Sequence, residues 1–186
     1  MPNDRPLDEV AARQHGVMSR AQCLAAGLTE DAVRARLAAG RWCRLHPGIF
    51  APFTGPVTRT ALLWAALLHA GDGAMLSHES AGELTGLVDQ PSPLVHVTIP
   101  HGRKVRPMAG VVVHRSRQAM DARHPTRLPT QTRVEETVVD LTQAARTLDQ
   151  ALGWLARPCG RRLTTPERIG RALRSRRRAR WRRELL

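Results

Sequence analysis

Glu135, Glu136 and Asp140 form the clearest group of carboxylates in this chain of 186 residues. A metal-dependent nuclease of the D…(D/E)xK kind needs carboxylates gathered round its ion and usually a lysine. Lys104 is the only Lys, and no acidic residue stands two positions before it. Glu136 and Asp140 are spaced i,i+4, so on a predicted helix they share a face and read as a surface pair. His78-Glu79 lacks the second histidine of H-E-x-x-H. Ser77 and His78 are chain neighbours and are expected to point apart on a helix, so no nucleophile–base pair is read there. His96 and His114 fall on two predicted strands. Two histidines begin a metal site, but no Cys or carboxylate is placed by the sequence to complete it, so they read as solvent-face strand residues. Cys23, Cys43 and Cys159 are scattered, with no CxxC pair. That points to neither a zinc knuckle nor a disulfide framework, and Cys23 and Cys43 read as small buried residues. Gly71 and Gly73 lack the rest of a phosphate-binding loop. The expectation is a chain that is not an enzyme, with no cofactor, no metal and no catalytic residues.

The arginines suggest a different chemistry. Net charge is +13, which favours a polyanionic partner such as nucleic acid. Residues 1–100 hold 8 Arg against 9 Asp and Glu, whereas residues 101–186 hold 21 Lys and Arg against 7 acidic residues. The basic character therefore lies in the second half, above all between Arg171 and Leu186, with 8 Arg and one Glu. The preference for Arg over Lys is also what a GC-rich genome gives, but that does not explain an excess of cations over anions.

The elements that must position these side chains follow from caps and apolar spacing. A helix over Leu7–Gln14 stops at Gly16. Ser19 and Gln22 form a capping box for a second helix, Arg20–Ala26. Thr29 caps a third, Glu30–Ala39, whose acidic first turn suits the helix dipole. Leu24, Leu28, Val33 and Leu37 are expected to hold the last two together. Trp42 and Leu45 before Pro47-Gly48, with Ile49 and Phe50 after it, signal a β-hairpin. Three short helices and a hairpin make a winged helix-turn-helix. Further on, Thr58–Ala70 is an apolar helix, too short to span a membrane. Ser77 opens a helix to about Leu84. Leu94–Ile99 and Val111–Arg115 are strands joined by an exposed basic loop, Pro100–Gly110. Thr132 and Glu135 suggest a capping box for a helix to about Ala145. Helices over Thr147–Ala156 and from Thr165 onward follow, the last running on as a basic tail. The fold class expected is α+β: a winged helix-turn-helix (residues 1–55), a small α/β domain (56–158) and an Arg-rich helical tail (159–186). No signal peptide opens the chain, because Asp4, Asp8 and Glu9 interrupt its start, and a reducing cytoplasm is the expected setting.

The stretch ARQHGVMSRAQCLAAGLTEDAVRARLAAGRWCRLHPGIFAP resembles the N-terminal domain of AbiEi-family antitoxins. GAMLSHESAGELTGL, HVTIP, GVVVHRS and LPTQTRVEETVVDL fit the same group in order and spacing, so the resemblance covers residues 11–141. It implies a winged helix-turn-helix followed by an α/β antitoxin-type domain. It implies a transcriptional regulator that represses its own operon and opposes a nucleotidyltransferase-type toxin encoded nearby. Many similar actinobacterial proteins continue into a very-short-patch-repair-like endonuclease domain, and this chain resembles a short form without it. The competing reading is therefore the DNA-targeting part of such an endonuclease-family protein, without nuclease activity of its own.

In a helix-turn-helix the second motif helix enters the major groove. Its long cations are Arg34 and Arg36, two apart and so about 200° apart round the axis. Arg36 flanks the apolar stripe, so Arg34 is the expected base reader and Arg36 a phosphate or structural residue. Ser19, Arg20 and Thr29 lie at helix starts, where backbone N–H groups favour phosphate, while Glu30 and Asp31 oppose it. Arg41 and Arg44 flank the wing as phosphate contacts. Residues 19–52 hold 5 Arg against 2 acidic residues, a modest patch, so a helix-turn-helix used only for protein contacts stays open. Arg103, Lys104 and Arg106 in the basic loop, and Arg176, Arg177, Arg178 and Arg180 in the tail, are expected to add non-specific nucleic-acid contacts. The tail reads equally as a solvated helix end. Double-stranded DNA is the expected partner, with a homodimer and a nearby toxin as further candidates.

Overall fold

The computed structural model describes residues 5–53, 55–176 and 179–186. In chain order the elements are α1 (Arg5–Arg13), β1 (Met18–Ser19), α2 (Arg20–Ala25), α3 (Glu30–Ala38), β2 (Cys43–His46), β3 (Ile49–Ala51), α4 (Arg59–Ala70), β4 (Met75–Leu76), α5 (His78–Leu84), β5 (Val95–Pro100), β6 (Val111–Ser116), α6 (Ala119–Ala122), α7 (Val134–Ala144), α8 (Leu148–Gly160), α9 (Pro166–Ser175) and α10 (Arg182–Leu185).

The N-terminal helices form because their caps are satisfied. Ser19 Oγ accepts from the Gln22 N–H at 3.2 Å, and Gln22 Oε1 accepts from the Ser19 N–H at 2.9 Å, so the capping box forms in full. Thr29 Oγ1 accepts from the Ala32 N–H at 3.1 Å. Gly48, at φ 75°, lets the β2–β3 hairpin turn where a side chain would be strained. The hairpin pairs antiparallel, and β1 adds a third strand on β3. Two residues are too short for alternation to show, which is why the sequence did not reveal β1. Leu7, Met18, Cys23, Leu28, Val33, Trp42 and Phe50 make the core. Leu24, expected inside, is exposed, and Cys23 takes the inward position one residue earlier. Burial pushes the Cys23 thiol up to about 11, so it stays an uncharged core residue.

A second core joins this module to the rest. Ala61, Trp64 and Ala65 of α4 pack on Val17 and Ile49. The other face of α4 covers the second sheet, order β4-β5-β6, through Leu63, Leu67, Val95, Val97 and Ile99. β5 and β6 are parallel, β4 and β5 antiparallel. The far face of β5 is not open to water as alternation suggested: Thr98 is buried, and α5 and α7 lie on that side. The chain after α5 folds back closely on it because residue 82 is Gly: a Cβ there would meet Val88 Cγ2 at 2.6 Å. Gly82→Ala is expected to destabilise by roughly 1–3 kcal/mol through overpacking, measured as a lower urea midpoint.

Two expectations change in the C-terminal half. Thr132 does not cap α7: its Oγ1 bonds Thr137 Oγ1 at 2.7 Å in the interior, and Arg133 is the N-cap residue. The expected boundary at residue 158 falls inside α8, and Ile169 of α9 shares a core with Leu87, Val138 and Leu141. Nor does the tail extend as a solvated helix. α9 ends at Ser175, and the chain returns so that Ala179 and Leu185 pack against Val139, Ala172 and Leu173. Arg182 Nη1 donates to the carbonyls of Leu173, Arg174 and Arg176 at 2.8–3.1 Å, satisfying acceptors freed at the end of α9. Among the described residues no helix is long and apolar enough to cross a membrane.

Candidate nucleic-acid interface

α3 presents its two arginines on opposite sides. Arg34 is exposed and, among the described residues, pairs with Asp31 alone, one turn back on the same surface. An exposed i,i+3 pair contributes little and gives way cheaply to a phosphate or base. Arg36 folds inward, its guanidinium 5.4 Å from the Trp42 ring centroid. Its carbonyl also accepts from the N–H groups of Arg41 and Trp42, which sets the exit of α3 toward the wing.

Arg20 is engaged within the motif. Its guanidinium pairs with Glu30, Nε lying 2.7 Å from Oε1, and so ties α2 to the start of α3. Its N–H donates to the Gly48 carbonyl at 2.7 Å, holding the wing turn against α2. Half the acidic charge that opposes phosphate at the α3 start is thereby offset. Ser19 and Thr29 spend their hydroxyls on caps. Arg41, just before β2, and Arg44, within it, are exposed.

Tertiary structure then joins two basic segments far apart in the sequence. A cleft of about 920 Å³ is bounded by Arg20 and Gly48 on one side and by Arg103, Lys104, Arg106 and Arg123 on the other. The Pro100–Gly110 loop thus stands beside the helix-turn-helix. Lys104 and Arg106 are exposed there, whereas Arg103 is partly spent on the Asp72 carbonyl, closing the turn after α4.

The tail cations need correction. Arg176 is not a free surface cation: only 16% of its side chain is exposed, and it bonds Glu136 Oε2 at 2.6 Å and Asp140 Oδ1 at 3.2 Å. Arg180 lies over the Trp181 ring and donates to the Arg146 carbonyl. Arg177 and Arg178 lie outside the described residues.

Residues 5–52 match the family model described as "Transcriptional regulator, AbiEi antitoxin". This segment is similar to AbiEi-type transcriptional regulators. The match ends at the close of the wing, just after β3. No curated protein matches the chain. Over 93% of its length the chain superposes on 71% of the RV2827C protein from Mycobacterium tuberculosis, known from a crystal structure, with a TM-score of 0.56 and 19% identity. That likeness extends the shared fold beyond the AbiEi-type segment into the second sheet and its helices.

The structure also assembles a cluster that the sequence only half disclosed. His96 Nδ1 and His114 Nε2 lie 3.0 Å apart, on the two strands expected. In the parallel register His96 pairs with Val112, so His114 is its diagonal neighbour on the same face. His78 joins them from the start of α5, its ring stacked 3.7 Å from that of His114. His78 and Ser77 do not point apart: Nδ1 and Oγ are 3.0 Å apart, because His78 adopts φ 50° instead of a helical angle. Positive φ at a histidine carries no sequence signal, so the third member was not legible.

Proposed function

We propose that the chain is a DNA-binding transcriptional regulator that represses its own operon. The convergence of the helix-turn-helix and the Pro100–Gly110 loop on one cleft carries this reading. α3 supplies the groove-facing element, with Arg34 as base reader. Ser19, Arg20, Thr29, Arg36, Arg41 and Arg44 hold or extend the phosphate-facing surface, and Lys104 and Arg106 add charge. The AbiEi-type segment supports the regulator class. It also supports a neighbouring nucleotidyltransferase-type toxin as partner, which the adjacent reading frame would reveal. A symmetric dimer would give such a module a second half-site.

Fluorescence anisotropy with the DNA upstream of its own gene tests the reading. Affinity is expected to fall steeply between 50 and 200 mM salt as released counterions lose their advantage. Arg34→Ala is expected to weaken binding about 10- to 100-fold and to relax preference at one position. The Lys104→Ala, Arg106→Ala pair is expected to weaken all sequences alike and to lower the salt slope by about 2. Salt-independent binding, or full affinity in Arg34→Ala, would refute the assignment.

A further inference from the structure

We propose that His78, His96 and His114 form a binding site for a divalent first-row transition metal, Zn²⁺ foremost, between the second sheet and α7. One nitrogen from each ring lies within 4.8 Å of the others. The His96–His114 separation of 3.0 Å is close to the nitrogen–nitrogen edge of about 3.3 Å that tetrahedral bonds of 2.0–2.1 Å require. Three separate elements deliver the rings, so the cluster is not an accident of one helix face. His78 is brought in by a left-handed backbone conformation that costs free energy and is uncommon outside glycine.

The surroundings suit a cation held by neutral imidazoles. Glu79 Oε2 stands 3.8 Å from His96 Nε2, and Asp140 Oδ2 stands 3.9 Å from His78 Nδ1, beside Ser77 Oγ. Ser77 Oγ holds the proton of His78 Nδ1 and leaves Nε2 as a lone pair, while the two carboxylates, beyond hydrogen-bond distance, supply negative charge beside His78 and beside His96 Nε2, whose proton leaves Nδ1 as a lone pair. Ser77 is fixed in turn by a 2.8 Å hydrogen bond from Thr98 Oγ1. Of the nearby cations, Arg176 is neutralised by Glu136 and Asp140 and Arg59 by Glu83, while Arg115 also lines the cavity. The cluster opens on a cavity of about 400 Å³, room for water at a fourth position. Loading turns the rings out of their mutual stack, by side-chain rotation, until the lone pairs meet.

The full chain, stripped with chelator, is titrated with Zn²⁺ by calorimetry and with Co²⁺ by visible absorption. One site per chain with micromolar or tighter affinity is expected. X-ray absorption of the Zn²⁺ form should show nitrogen and oxygen scatterers at about 2.0 Å with imidazole multiple scattering and no sulfur at about 2.3 Å. His96→Gln and His114→Gln should each weaken binding by about 100-fold or more. Glu79→Gln, at a partly exposed position that leaves the core intact, should weaken it about 10-fold. Absence of stoichiometric binding by the wild-type chain, sulfur ligation, or unchanged affinity in Glu79→Gln and the His variants would overturn the site.

Discussion

Arg176→Ala is expected to lose about 3–5 kcal/mol of stability, because it strands two carboxylates in the interior. Glu136 and Asp140 have side chains only 16% and 9% exposed, and both turn to this guanidinium. Their desolvation remains when the cation goes. Asp140 is already pushed up to about 6, by burial first, against the pull of Arg176. Without Arg176 it takes up a proton more readily, so the loss should shrink at pH 5, where the orphan is neutral. The second variant Arg176→Ala, Asp140→Asn should recover a large part of the loss at pH 7. Urea denaturation of the wild type and both variants at pH 7 and 5 measures this. A loss under about 1 kcal/mol at pH 7 would mean that the tail is held by Ala179, Leu185 and the Arg182 hydrogen bonds and that the ion pair is incidental.

Acid should weaken the metal-free protein well before its carboxylates are exhausted. His78 is held down to about 2 by burial, with His114, His96 and Arg176 adding to it, and His114 is held at about 4 by burial and then His96. The unfolded chain protonates these groups near pH 6.5. Between pH 6.5 and 4 it therefore binds more protons than the native state, and stability falls as pH falls. Each fully neutral histidine contributes about 1.4 kcal/mol per pH unit. Asp140 works the other way. Its native value lies above its ordinary one of 3.8, so it contributes stability below that value and loses it as pH rises toward 6. His114 is partly open to solvent and contributes less than His78. The net slope expected between pH 6 and 5 is about 1 kcal/mol per unit. Urea midpoints in EDTA should show it, and His114→Gln should flatten it. Identical wild-type midpoints at pH 7 and 5 would contradict the neutral cluster.

Both predictions concern residues that the sequence misjudged, for one physical reason. Arg176 stands in a run of arginines, and a run reads as solvated charge. Its partners lie 40 and 36 residues back on α7, and only the packing of α9 on α7 brings them together. Glu136 and Asp140 were legible as a shared helix face. That the face turns inward, under the tail, was not. Thr132 likewise has the spacing of a capping residue, but Thr137 and the interior claim its hydroxyl.

By itself the sequence determined what depends on neighbours within a few residues. The Ser19–Gln22 capping box, the Thr29 cap, the Pro47-Gly48 turn and the apolar spacing around Val33 fix the AbiEi-type module, because caps and turns are satisfied locally. Alternation placed His96 and His114 on one face of adjoining strands. Tertiary structure alone decided what depends on distant surfaces meeting. α4 seats the module on the second sheet. The Pro100–Gly110 loop comes to stand beside the helix-turn-helix. A strained His78 completes a cluster of three, and Arg176, from the most basic segment of the chain, neutralises Glu136 and Asp140. Net charge counts arginines, whereas packing decides which of them remain free for a partner.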